Sequence, residues 1–359
     1  MNQKQSSESH TGSRKAHQRG AMRAFDEQTA KDLEFDAVRT LLLHHCQNPS
    51  TINRAHALHP IDVQKHWQLE LERTKEMLEI KREGSGFPAV GCEEIGPDND
   101  RLAVRDSVLD EAGFHRLKTA SLTVNDVIAA LEDRELASPK LVDLTADVVH
   151  TLEIIESIDA VFDAKGQVRS NASPKLVHIR EEMVRLRRAI NRQFLKDLKR
   201  FKERGWLADT NEGFINNRRV LAVNSTHKRK VTGTALGQSK NGSITFIEPA
   251  ANVSLNFEME MLGDDERKEI LRILRALTAQ TRKHLPLFRA YHTLLVELDW
   301  IRAKMQLAVE MDATMPGLRK DCSFHIIRAY HPLLAMQNQL NEVHTEPQTI
   351  SLSNKERML

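Results

Sequence analysis

"RKVTGTALGQSKNGSITFIEP", Arg229 to Pro249, breaks the pattern of the chain around it. Long charged stretches with a helical period lie on both sides, whereas this stretch carries β-branched residues, turn-type Gly and Asn, and a single acid. Together with "RRVLAVN" (218–224) it predicts a small β module. Asn241-Gly242, between Lys240 and Ser243, predicts a type I′ hairpin turn, because both residues tolerate a positive φ.

The flanks explain where such a module sits. Ser173-Pro174 predicts a helix start, with Ser as N-cap and Pro at the first helical position. Leu176, Ile179, Met183, Leu186 and Ile190 then recur at 3–4 spacing, followed by Phe194 and Leu198. One helix of about 45 Å, at 1.5 Å per residue, is expected to about Arg204. "GWLADTNEG" (205–213) is expected to end it. Helix resumes from about Asn252, breaks or kinks at Leu285-Pro286, and continues through Leu295, Leu298, Ile301, Met305 and Val309. Residues 173–204 and 252–312 are therefore expected to pair antiparallel, which brings Leu176 beside Val309, with the module at the shared tip.

Upstream, Leu33, Val38, Leu41 and Leu42 give a helical stripe, and a second helix is expected from about Ile61 to Arg82. The Gly-, Pro- and Asp-rich segment 84–100 cannot continue it. Helical patterning returns through "NDVIAALEDREL" and "LVDLTADVVHTLEIIESI". The expected fold is mainly α: a helical core bundle plus a long antiparallel helical arm with a small β clamp inserted at its tip. The boundaries are a disordered tail over 1–24, the core over 25–165, the incoming arm helix over 166–213, the clamp over 214–249, the outgoing helices over 250–315, and a return segment over 316–359.

With 359 residues, 40% of them hydrophobic and a net charge of +2, the composition selects no partner, so any polyanion site must be local. Three scattered cysteines point to reduced thiols. No apolar run reaches the roughly 18 residues of a membrane span, and a cytoplasmic protein with no membrane partner is expected. The local charge sits in the β module. Between Phe214 and Glu248, Arg218, Arg219, Lys228, Arg229, Lys230 and Lys240 face one acid, Glu248. Ser239 and Asn241 add neutral donors suited to phosphate oxygens. No aromatic platform accompanies them in that window, which favours backbone contact over base stacking. The competing reading is a solvated hairpin tip whose cations keep an edge strand soluble. The incoming helix adds eleven basic residues against four acidic from Lys175 to Arg204, and these do not share one face.

"KDLEFDAV", "FPAVGCEEI", "GQVRSNASPKLVHIR" and "NNRRVLAVNSTHKRKVTGTALGQSKNGSITFIEP" resemble the MutS family in its second bacterial branch, MutS type two, over residues 31–335. The resemblance implies that the bundle is a core, the arm a lever and the β module a clamp that binds DNA, duplex or branched. It also implies a homodimer in the full-length protein and coupling to a C-terminal ATPase. Ribosomal RNA on collided ribosomes is the alternative partner that the resemblance implies, and a purely structural coiled-coil arm is the third reading. No G-x-x-x-x-G-K-[ST] occurs in the chain, so it is expected to be no enzyme and to carry no cofactor, with ATP and Mg belonging to the family's missing ATPase domain. "TISLSNKERML" resembles the opening strands of that domain.

Other candidates carry no chemistry. His44, His45 and Cys46 are adjacent on a helix, where neighbours point about 100° apart, and lack a second ligand pair. Cys92, Glu93, Glu94, Asp98 and Asp100 offer weak cation ligands, with a solvated acidic loop the favoured reading. No catalytic residue and no metal site are expected.

Overall fold

The computed structural model describes residues 27–353 except 62, 85, 92 and 319–322; the expected tail over 1–24 lies outside the described residues. The chain opens with α1 (Glu27–Asp32), α2 (Phe35–His45), α3 (Pro49–His56) and α4 (Gln64–Arg82). Next come α5 (Gly96–Ala103), α6 (Glu111–Glu132), α7 (Pro139–Val142) and α8 (Glu153–Val161). The long α9 (Pro174–Glu203) leads into strands β1 (Leu207–Ile215), β2 (Arg218–Asn224), β3 (Gly233–Gln238) and β4 (Ile244–Pro249). Then follow α10 (Ala250–Thr281) and α11 (Leu285–Glu310), and finally β5 (Phe324–Ala329), α12 (Pro332–Leu340) and β6 (Gln348–Leu352). The fold is mainly α with a small β insertion, as its sequence predicts.

α11 is the axis of the bundle. Phe288, Tyr291, Leu294, Leu295, Leu298, Ile301 and Met305 are buried against α4, α5 and α6. Buried polar side chains here reach backbone carbonyls: the Tyr291 hydroxyl donates to the Val149 carbonyl at 2.8 Å, and Asn99 Nδ2 donates to Phe288 O at 3.2 Å. Asp299, also buried, takes the backbone N–H groups of Gln47 and Asn48 at 3.0 and 2.9 Å, the Thr51 hydroxyl, and Arg302 at 2.6 Å. Burial alone would push this carboxyl up, but the donors outweigh it and hold it below the ordinary range. His45 pairs with Glu310 at 2.7 Å, and Asp98 is occupied by Arg116 through two bonds of 2.7 Å.

The arm begins as its sequence predicts. Ser173 Oγ accepts from Leu176 N at 3.0 Å, and Pro174 opens α9. α9 and α10 run antiparallel: Ser173 bonds Glu269 at 2.7 Å, Arg180 bonds Glu266 at 2.7 Å, and Asn252 Nδ2 donates to Ile190 O at 3.1 Å. The shared length is shorter than expected, because the start of α9 meets Glu269 and Ile273 and not the end of α11 near Val309. A 3₁₀ turn, Arg282–His284, separates α10 from α11 where the Leu285-Pro286 pair predicts a break. Beyond it the chain belongs to the bundle.

The four-stranded antiparallel sheet has the order β1-β2-β4-β3. It starts at Leu207, seven residues before the expected boundary, so "ADTNEGF" is strand and not linker. Alternation along the strands sets the inner face: Leu221 and Val223 on β2, with Ile247 on β4, pack on Phe194 and Phe201 of α9. The sheet therefore lies along the last turns of α9, in the place that α10 vacates by starting near Ile190.

Turn chemistry also differs from the expectation. Asn216 and Asn217, at φ 51° and 61°, join β1 to β2 in a two-residue hairpin, the geometry a type I′ turn requires. At the β3–β4 junction only Gly242 has a positive φ, 67°, and its N–H donates to Ser239 O at 2.9 Å. That longer connection, 239–243, is not a type I′ pair.

Candidate nucleic-acid interface

Each end of the sheet has its own chemistry. β2 runs from Arg218 to Asn224, about 20 Å at strand rise. Its first residues lie near α10. Arg218 forks between Glu248 at 2.9 Å and Glu260 of α10 at 2.6 Å. Glu248 is fully buried and also accepts from Asn256 Nδ2 at 2.6 Å. Arg219 makes two bonds of 3.0 Å to Glu212, donates to Asn191 Oδ1 at 2.6 Å, and lies 4.5 Å from the centre of the Phe194 ring. Both arginines are thus committed to holding the sheet on the arm.

The distal end is different. The 3₁₀ turn Ser225–Lys230 follows β2, and Lys228, Arg229 and Lys230 are exposed there. Lys240 is exposed in the β3–β4 connection. Ser225 draws the two segments together: its N–H donates to Ser243 O at 2.9 Å and its hydroxyl to Gly242 O at 2.6 Å. Among the described residues none of these four cations forms an ion pair with a carboxylate. The sequence-expected set therefore divides. Lys228, Arg229 and Lys230 lie on the turn that leaves the Asn224 end of β2, Lys240 lies on the connection that Ser225 ties to that turn, and Arg218 and Arg219 are at the other end.

Ser239 and Asn241 are occupied as well. Asn241 Oδ1 accepts from Ser239 Oγ at 2.8 Å and from Ser243 Oγ at 2.7 Å, while Ile244 N donates to Ser239 Oγ at 3.0 Å. They build the connection that presents Lys240. The charge balance is more even than the shorter window implied: from Leu207 to Pro249, six Lys and Arg face three acids, because Asp209 and Glu212 fall in β1.

Trp206 sits at the junction of α9 and β1, upstream of the β-type stretch that begins at Phe214 in sequence. It stacks on Phe201 at 5.8 Å between centroids and meets the His227 ring at 6.3 Å. The only advance signal is an aromatic directly after a helix-ending Gly, Gly205, which has φ 67°.

No family model matches the chain. "Endonuclease MutS2" of Streptococcus equi subsp. equi is 31% identical over 322 residues, covering 89% of this chain and 40% of that protein. The chain belongs to the MutS2 family. "Endonuclease MutS2" of Levilactobacillus brevis is 26% identical over 311 residues, covering 86% of this chain and 39% of that relative. This MutS2-family chain thus spans about two fifths of the length of the curated relatives it matches. No described helix is long and apolar enough to cross a membrane.

Proposed function

We propose that the distal end of the β module holds the phosphate backbone of DNA, duplex or branched, and that this chain supplies grip and reach while turning over no ATP itself. The observation that carries the reading is that Lys228, Arg229, Lys230 and Lys240 are exposed on two segments tied together by Ser225, with no carboxylate partner among the described residues. Exposed cations that merely maintain solubility are usually interspersed with acids. A patch of one sign at the far end of a long arm suits a polyanion and raises its rate of encounter.

The test is a fluorescence-anisotropy titration of a labelled duplex at several salt concentrations. Replacing Lys228, Arg229 and Lys230 together by Ala should weaken binding on every sequence alike. It should also shrink the slope of log K against log[salt] by about two to three, since each lost phosphate contact removes about one released ion. Melting should barely move, because exposed charge removals cost under about 0.5 kcal/mol each. An unchanged slope with unchanged melting would return the tip to a solvated surface. An RNA helix of the same length offers equivalent phosphates, and competition between the two ranks them.

A further inference from the structure

Resting on that reading, we infer that the C-terminal end of α9 is a second wall of the same grip, through Arg200 and the capping residue Arg204, and that the grip takes a paired helix in preference to an unstacked single strand.

The junction brings the two walls together. Asn224, the last residue of β2, donates its N–H to Trp206 O at 3.0 Å and its Nδ2 to Leu207 O at 3.1 Å. Trp206 is thereby fixed between the end of α9 and the turn that carries the lysines. Around its ring stand the Arg204 guanidinium, 5.0 Å from the centroid, and the Lys230 ammonium, 5.7 Å from it. One turn back, Arg200 lies 5.4 Å from the Phe201 centroid, and Phe201 is itself stacked on Trp206. Cations from positions far apart in the chain therefore converge on one aromatic pair.

The bland account of Arg200 and Arg204 is the helix dipole, which favours cations in a last turn. It explains their presence at the end of α9. It does not explain why a second cationic segment, Lys228 to Lys230, is folded back onto the same indole. Arg200 and Arg204 are exposed, and neither forms an ion pair among the described residues; the nearby carboxylate of Glu203 pairs instead with Lys199 at 4.0 Å. Like charges so placed repel unless an anion lies between them. Ring contact also restricts the guanidinium groups in advance, which lowers the entropy lost when they bind a phosphate.

Ligand class follows from what the aromatic pair has left to offer. Single-strand binders stack bases on free ring faces. The Trp206 ring already has Phe201, His227, Arg204 and Lys230 as neighbours. Phe214 is 72% exposed, but it belongs to the opposite end of β1, about 20 Å away beside the Asn216–Asn217 turn. The patch offers charge without a stacking platform, and that combination suits the regular phosphate array of a duplex.

The experiment compares the full chain, an Arg200→Gln/Arg204→Gln variant, and the Lys228/Arg229/Lys230 triple Ala variant. Gln keeps a stem over each ring, so folding is preserved. The probes are a labelled duplex of about 20 base pairs and an oligo-dT strand of the same length, titrated across a salt series. The double Gln variant should lower the duplex salt slope by about two, and oligo-dT should bind at least about tenfold more weakly than duplex. A double Gln variant with an undiminished slope, beside a triple variant that loses its two to three, would overturn the second wall and leave the proposed function standing. An undiminished slope in both would remove the proposed function too. Oligo-dT binding as tight as duplex would overturn the ligand class.

Discussion

Glu248 on β4 has no solvent exposure, and the Arg218 guanidinium on β2 lies 2.9 Å from it while reaching Glu260 of α10 with its other nitrogen. One arginine therefore neutralises the sheet's buried carboxylate and ties the sheet to the arm.

Arg218→Ala should accordingly act on stability and not on binding. It leaves Glu248 charged and buried, with Asn256 as its side-chain partner among the described residues, a change expected to cost about 3 kcal/mol. Amide exchange in β2 and β4 should accelerate while the core helices keep their protection. The salt slope for duplex binding, measured at a temperature where the sheet remains folded, should equal that of the parent chain. A reduced slope would restore Arg218 to the phosphate-binding set.

At the other end of the arm, Glu269 is buried against Ser173 and Arg272. The Arg272 fork, with help from the Ser173 hydroxyl and against the effect of burial, holds its carboxyl down to about 2 from an ordinary 4.5. A carboxyl lowered by folding stabilises the native state above its unfolded value, and that contribution is lost as pH falls through the folded value. Between pH 4.5 and about 2 the melting temperature of the parent chain should fall more steeply than that of Glu269→Gln. Parallel curves for the two would show that Glu269 titrates normally.

Gly233 is where β3 meets the last residues of β4. A Cβ there would stand 2.1 Å from the Glu248 carbonyl oxygen, a backbone atom that cannot turn aside. Gly233→Ala should unpair β3 from β4 and destabilise the sheet by about 2–4 kcal/mol. The circular dichroism of the helices should persist while duplex affinity drops. Retained affinity with normal melting would mean that the strands separate without harm to the grip.

Much of this arrangement is legible in the residues. Ser173-Pro174 marks the arm's start because a cap and a locked φ act locally, and the β-branched and aromatic residues of Ile244–Pro249 mark a strand. Pairing is what local signals omit. Charge alone groups Arg218 and Arg219 with Lys228, since all are basic and near in sequence, yet Glu260 and Glu212, which pair with the two arginines, lie outside the stretch from Phe214 to Glu248. Helical periodicity likewise identifies the buried face of α10 and α11 without giving its register. That is why the start of α9 meets Glu269 and not the region of Val309, some forty residues further on. The Asn216–Asn217 turn was overshadowed by Asn241-Gly242, a stronger dipeptide signal that the five-residue connection uses differently.

β4 passes into α10 without a single intervening residue, and α10 ends at the 3₁₀ turn Arg282–His284, where Arg282 donates to the carbonyls of Leu102, Val104 and Ser107. Sheet and bundle are thus joined by one helix, α10, whose last turns are packed in the bundle through Ile273, Leu274 and Leu277, leaving a strut of about 29 Å from Ala250 to Glu269. Such a strut has a gear ratio. A rotation of about 5° near Glu269, where α10 leaves the bundle, sweeps the sheet through roughly 2.5 Å, about half the spacing between hydrogen-bonded strands. Read in reverse, a displacement of several ångströms at the sheet arrives in the bundle as a tilt small enough for packed helices to absorb without unfolding.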